Sequence, residues 1–284
     1  MRGRSRTIRR QFVALGAAIA LALGITAEET GKPRYNVVLI VCDDLNDYVT
    51  GVVGDRGHPQ ARTPHVEKLA ASGVAFRRAY SNNPICAPSR SSFLTGVYPH
   101  TSGNFGFDNW YENPTLKNVK TLMEYFRENG YRAVGSGKLM HQLKPDVWDE
   151  FAYKADYGPF VYDGKDRVAH PSVPKPFRDI GPVDGSFASL ADVPYENDGN
   201  PQSGWIYGEW GKTVTPFVYK SEQDRSPTPD ERNAEWAAGR IRAFAAQKSG
   251  QPFFWGSVSS ARIRRCMCRR DTSTCFRRTK LKCL

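Results

Sequence analysis

The apolar pattern along the chain changes period several times. Residues 35–41, YNVVLIV, form a continuous β-branched run of the kind that builds a buried central strand. Asp43 and Asp44 follow at its end, where two adjacent acids are costly unless a cation neutralises them or they reach solvent. Thr63 as N-cap and Pro64 at the first helical position predict a helix through Ser72, closed by Gly73. Residues 74–80 read as the next strand. Residues 89–95 read as a short helix ended by Gly96. Over 116–129 the positions Val119, Leu122, Met123 and Phe126 share one face of an amphipathic helix, with Gly130 beyond it. Residues 131–135 are strand-like and run into Gly137 and Lys138, residues 230–247 form a helix, and 252–258 (PFFWGSV) form another buried strand.

Strands alternating with helices predict an α/β fold with a mainly parallel sheet flanked by helices. Ligands in such sheets gather at the carboxyl ends of the strands. The Asp pair, the segment around Cys86 and Lys138 all follow predicted strands, so they are expected at one edge. Between 152 and 227 the periodicity dissolves into Pro, Gly, Asp and aromatic residues. A patternless stretch of that length is unusual inside a domain and reads as a surface insertion, a candidate substrate rim.

Charge changes this picture only at the two ends. The net charge is +11. Residues 1–27 carry five arginines and no acid, and residues 262–284 carry nine Lys or Arg and one acid, so the part between them is close to neutral. A nucleic-acid footprint belongs on the folded domain, and none is read here. In 1–27 a basic stretch precedes an apolar run from Phe12 to Ile25 and a small residue, Ala27, the order of a signal peptide. Arg9-Arg10 fits twin-arginine export, the apolar run is short for a permanent membrane span, and a retained anchor is the alternative. Export to the periplasm or cell exterior is expected. Cys42 reads as a small buried apolar side chain, and His58, His65, His100 and His170 are given no role.

The sharpest chemical signal is Cys86-Ala87-Pro88-Ser89-Arg90, with Leu94-Thr95-Gly96 shortly after. The pattern C-x-P-S-R followed by L-T-G resembles the signature of type I, formylglycine-dependent sulfatases within the alkaline phosphatase superfamily. The resemblance runs over about 36–258. Gly137-Lys138-Leu139-Met140-His141, with its G-K-x-x-H spacing, is most similar to the iduronate-2-sulfatase group and its bacterial relatives. The resemblance implies an alkaline-phosphatase-like fold and a sulfuric ester hydrolase acting on sulfated carbohydrates. It also implies that a formylglycine-generating enzyme oxidises Cys86 to formylglycine. The hydrated aldehyde would attack the sulfur of a sulfate ester, and collapse of the hydrate would then release sulfate. Arg90 would stabilise the hydrate and the anionic site, and Lys138 would bind sulfate oxygens. His141 would accept the proton in the collapse. Asp43 and Asp44, with the modified Cys86, would hold a divalent metal, Ca2+ or alternatively Mg2+.

The family pattern also expects a second pair of metal ligands, a second Lys-or-Arg/His segment and a smaller C-terminal subdomain, which are not found in the sequence. Residues 28–258 read as the N-terminal part of the sulfatase domain, with the insertion at 152–227. Residues 259–284 are an aberrant basic, Cys- and Arg-rich tail. Zinc binding or RNA binding would not account for so abrupt a change of composition after a core strand. A frameshifted translation from about Ser260 would: one permitted back-translation, stepped by one base, restores an Arg-Pro-His and a Pro/Tyr-rich stretch. On this reading the 284 residues are a truncated copy, poorly stable and with little or no activity. The alternatives are a phosphonate monoester or phosphodiester hydrolase of the same superfamily, and a non-catalytic binder of sulfated glycans.

Overall fold

The computed structural model describes residues 34–43, 45, 63–170, 173–180, 190–192, 203–208, 214–221, 223–247 and 250–259. The expectations for the signal segment 1–27, for Asp44 and His58, and for the tail beyond 259 lie outside these residues. The chain divides into two units, Met1–Asn36 and Val37–Leu284. Of the first, only residues 34–36 are described, without regular secondary structure. All that follows concerns the second.

Its central feature is a four-stranded, wholly parallel sheet of β1 (Val37–Cys42), β2 (Arg132–Gly137), β3 (Glu150–Phe151) and β7 (Phe253–Ser259). The strand order is β1-β7-β2-β3. In register, Cys42 lies beside Ser259 and Gly137 beside Val258. The carboxyl ends of β1, β7 and β2 are therefore level, so whatever follows β1 and β2 emerges side by side.

Alternation along β2 and β7 sends side chains to two cores, as the period of two in a strand requires. Ala133 and Phe254 face one core with Leu94, Trp110, Leu116, Met123, Leu139 and Trp148. That side carries α2 (Cys86–Thr95) and α4 (Leu122–Glu128). Val134, Phe253 and Trp255 face the other, against Ala237, Trp236 and Phe244 of α5 (Pro229–Ala246). Phe254 stacks on Phe126 with ring centroids 4.5 Å apart, and Phe253 stacks on Phe244 at 4.9 Å. Both α4 and α5 open with a capping box: Thr121 with Glu124, and Thr228 with Glu231. Each satisfies backbone donors at the helix start.

Four expectations need correction. β1 is an end strand of the described sheet rather than a central one, and alternate side chains, Val38 and Ile40, are 45% and 59% exposed. Cys42 shares their side of the strand and is exposed, not buried. Residues 74–80 are not a strand: Val74, Phe76 and Tyr80 are exposed and no ladder among the described residues pairs them. The helix expected over 116–129 is split, with a 3-10 turn at Leu116–Asn118 and α4 beginning only after Thr121, because the Thr121 capping box starts a new helix there.

The helix after Thr63 runs over Pro64–Ala71 (α1) and has no buried residue. A short α3 (Pro99–Ser102) follows α2. The insertion holds a small antiparallel sheet of β4 (Phe160–Tyr162), β5 (Arg167–Val168) and β6 (Gly204–Ile206), in the order β5-β4-β6. His65 and His100 are exposed, whereas His170 is buried and stacks on Trp205 at 5.9 Å.

Candidate active site

Asp43 follows directly on β1 and Lys138 on β2, with β7 between them. Neighbouring strands are roughly 4.8 Å apart, so a long lysine side chain can cross the intervening strand end. It does: Lys138 Nζ donates to Asp43 Oδ2 at 2.5 Å. The other carboxylate oxygen, Oδ1, accepts from Arg90 Nη2 at 2.7 Å. The turn after β2 explains why two polar residues three apart meet the site. Gly137 takes φ 74°, a left-handed conformation that a side chain would disfavour, and its N–H donates to the Tyr153 carbonyl at 2.7 Å. Leu139 and Met140 then plug the core at 0% and 3% exposure, leaving Lys138 and His141 on the site side. Trp110 Nε1 donates to the Gln142 carbonyl at 3.0 Å and pins the turn.

Cys86 is the first residue of α2, not part of a loop before it. One turn later Arg90 lies on the same helix face. Cys86 Sγ is 3.4 Å from His141 Nδ1, and the His141 ring packs against Phe107 at 5.1 Å. The helix is tied down by Asn82 Nδ2 donating to Ser92 Oγ at 2.6 Å and Asn104 Nδ2 to Ser91 Oγ at 3.0 Å. Gly96, at φ 74°, closes it. The sequence placed Cys86 after a strand; the helix brings it to the sheet edge instead.

Two cations share one carboxylate, so the described cluster carries a net positive charge. Arg90 and Lys138 are each 4% exposed. Burial alone would raise the Asp43 pKa, but hydrogen bonds from Lys138 and Arg90 and their charges hold it below its usual value. Burial alone would lower that of Lys138, but hydrogen bonds to Asp43 and Tyr157 take it above its usual value, so it stays an ammonium. Burial, and then the charges of Lys138 and Arg90, push His141 down, against the opposing pull of Asp43. The imidazole is therefore neutral near pH 7 and able to take a proton. Arg90 Nε and Nη1 are buried with no hydrogen-bond partner among the described residues. Buried guanidinium donors of this kind suit an anion.

The structure thus joins Cys86 to His141, and Arg90 and Lys138 to Asp43. Asp44 lies outside the described residues. Among those described, no group of three or more His, Cys, Asp or Glu side chains is arranged to hold a metal ion. Asp43 alone falls well short of the roughly six to eight oxygens that Ca2+ takes, so the described residues do not make a complete metal site. Sequence reasoning missed Tyr157, which lies beside Lys138 with Nζ 4.7 Å from its ring centroid. It belongs to the patternless insertion, where no spacing signals it.

A family model described as Sulfatase matches residues 35–177. A sulfatase of Formosa agariphila is 38% identical over 149 residues, covering 48% of this chain and 28% of that protein. Iduronate 2-sulfatase of Homo sapiens is 34% identical over 146 residues, covering 51% and 26%. The chain thus spans a little over a quarter of the length of these curated relatives. A protein solved in complex with its substrate D-glucosamine-2-N,6-O-disulfate gives a TM-score of 0.46 at 16% identity, over 80% of this chain and 34% of that one. Among the described residues no helix is long and apolar enough to cross a membrane.

Proposed function

The chain belongs to the sulfatase family, and from that premise we propose that it carries the nucleophile and anion-binding part of a site that hydrolyses sulfate esters of carbohydrates. Oxidised to formylglycine by a formylglycine-generating enzyme, Cys86 supplies a hydrated aldehyde as nucleophile toward sulfur. Lys138 and Arg90 hold the sulfate oxygens by charge-assisted hydrogen bonds. Asp43 keeps both cations in place and limits their mutual repulsion. His141, neutral and in contact with Cys86 Sγ, takes the proton released at that position. Asp43 and Asp44, with the modified Cys86, would hold a divalent cation, Ca2+ or Mg2+, which would supply charge to polarise a sulfate oxygen. The likeness to iduronate 2-sulfatase, over about half of this chain, supports a sulfated carbohydrate as substrate.

The observation that carries this reading is the meeting of Cys86 with His141 beside the Arg90–Asp43–Lys138 cluster at the strand ends. The protein is exported through residues 1–27. The tail from about Ser260 is a frameshifted translation; resequencing that finds the frame intact refutes this last point.

Expression with an active formylglycine-generating enzyme, followed by mass spectrometry of the peptide spanning Cys86, tests the catalytic reading. Formylglycine at position 86 is expected. An unmodified cysteine from that host counts against it and favours a non-catalytic glycan binder. Comparing aryl sulfate with aryl phosphonate, on a chain extended through the remaining family domain, decides between sulfur and phosphorus chemistry.

A further inference from the structure

The described site has a charged part and an apolar part. Arg90, Lys138 and Asp43 make the charged part. The apolar part is Phe107, whose ring packs against His141 with centroids 5.1 Å apart and planes inclined by 48°. His141 in turn meets Cys86 Sγ at 3.4 Å, so one side chain separates the phenyl ring from the nucleophile position. Phe107 is nevertheless 60% exposed. A single exposed apolar side chain means little by itself. This one is distinguished by its contact with the site and by how firmly its backbone is held. Gln142 Nε2 donates to the Phe107 carbonyl at 2.5 Å, and the Gln142 carbonyl accepts from Trp110 Nε1 at 3.0 Å. Asn104 Nδ2 donates to Ser91 Oγ of α2 at 3.0 Å. Asn104 and Trp110 are both buried. The segment 104–110 is thus anchored to the helix that carries Cys86 and to the turn that carries His141.

We infer that Phe107 is a specificity-determining residue: its exposed ring is the surface on which the sugar bearing the sulfate ester stacks. This rests on the sulfatase reading above and adds to it the group that reads the alcohol half of the ester. The two halves of such a substrate are unlike. The anionic half suits a guanidinium and an ammonium. The pyranose half presents a face of C–H groups, which gain by leaving water for an aromatic surface. The charged cluster meets the same anionic group in inorganic sulfate, a methyl ester or a sugar ester. An apolar wall beside the nucleophile is what can favour the ring. Because the backbone anchors hold Phe107 in place before a ligand arrives, little order remains to be imposed on binding. Covering roughly 50 Å2 of the phenyl face is worth about tenfold in affinity.

The test uses the full 284-residue chain with Cys86 unmodified, so that esters bind without being turned over. Calorimetry measures the affinity for inorganic sulfate, methyl sulfate and the monosulfates of glucose. The wild-type chain is compared with Phe107→Ala, Phe107→Tyr and Phe105→Ala, each checked for folding by circular dichroism. The wild-type chain should bind at least one glucose monosulfate about tenfold more tightly than methyl sulfate. Phe107→Ala should abolish that advantage and leave inorganic and methyl sulfate unchanged. Phe107→Tyr, which keeps the ring, should retain it. Phe105→Ala, which removes a neighbouring exposed ring, should change nothing. Should Phe107→Ala fail to fold, Phe107→Leu, apolar but without a ring face, carries the comparison. An advantage that survives in folded Phe107→Ala overturns the inference. So does an equal loss for inorganic sulfate, which would make Phe107 a structural support of His141. A wild-type chain that binds methyl sulfate as tightly as every glucose monosulfate overturns it too, while the sulfatase reading stands. A wild-type chain that binds none of these anions counts against the sulfatase reading itself, and the inference falls with it.

Discussion

Replacing Asp43 with alanine removes the carboxylate that compensates two buried cations. Arg90 and Lys138 side chains are each 5% exposed and that of Asp43 is 12% exposed, so water screens the cluster little. Breaking one buried ion pair by deleting one partner costs about 3–5 kcal/mol, because the other charge is left buried without compensation. Here two charges are stranded at once, at 2.7 and 2.5 Å from the missing oxygens. Lys138 can partly relax toward Tyr157, so the loss is placed within that same range rather than doubled. Against a total stability of about 5–15 kcal/mol for a domain, this is a large fraction. Urea unfolding followed by tryptophan fluorescence measures it, as a fall in midpoint at constant slope. Adding Lys138→Met should recover part of the loss, since one of the stranded charges is then gone. A change below about 1 kcal/mol in Asp43→Ala, or no recovery in the double variant, would refute the view that this carboxylate holds the cluster together.

Phe254→Ala should cost about 3–5 kcal/mol, since the side chain is 1% exposed and stacks on both Phe126 and Trp148; the same urea titration checks it. Acid should loosen the start of α5. Hydrogen bonds from Arg225 hold Glu231 at a pKa of about 2, against a usual 4.5 and despite partial burial. A depressed carboxylate contributes stability that is present in full above its unfolded pKa and lost as pH falls through the folded value. The contribution should therefore fade from about pH 4.5 toward pH 2, modestly, because the side chain is 39% exposed. Glu231→Gln should flatten that part of a stability-versus-pH curve, measured by thermal melts; an unchanged acid limb would contradict the assignment.

Much of the frame was legible because local signals and burial agree. Residues 252–258 read as a buried strand and form β7 in the middle of the sheet, with one side chain to each core in turn. The helix read over 230–247 is α5, which the structure starts at Pro229 behind a reciprocal capping box of Thr228 and Glu231. Two of the misreadings share one cause. The apolar run at 35–41 predicts a buried central strand and that at 74–80 a further strand, yet burial and pairing depend on what packs there. Val38 and Ile40 are exposed because one face of β1 is not covered by described residues, and 74–80 pairs with no strand among the described residues.

The site was legible residue by residue but not as a geometry. Cys86 and Arg90 are four apart, and a helix starting at Cys86 is enough to put them on one face. Lys138 and His141 are three apart, and two apolar residues buried between them leave both on the site side. That Lys138 reaches Asp43, 95 positions earlier, depends instead on β7 inserting between β1 and β2, and on the parallel register that levels their ends. No local pattern encodes a pairing order of that kind. Tyr157 is the extreme case, because it lies beside Gly158, whose close backbone contact with Gly208 crosses a stretch with no periodicity. A side chain that a long-range backbone contact brings beside Lys138 leaves no local spacing to read.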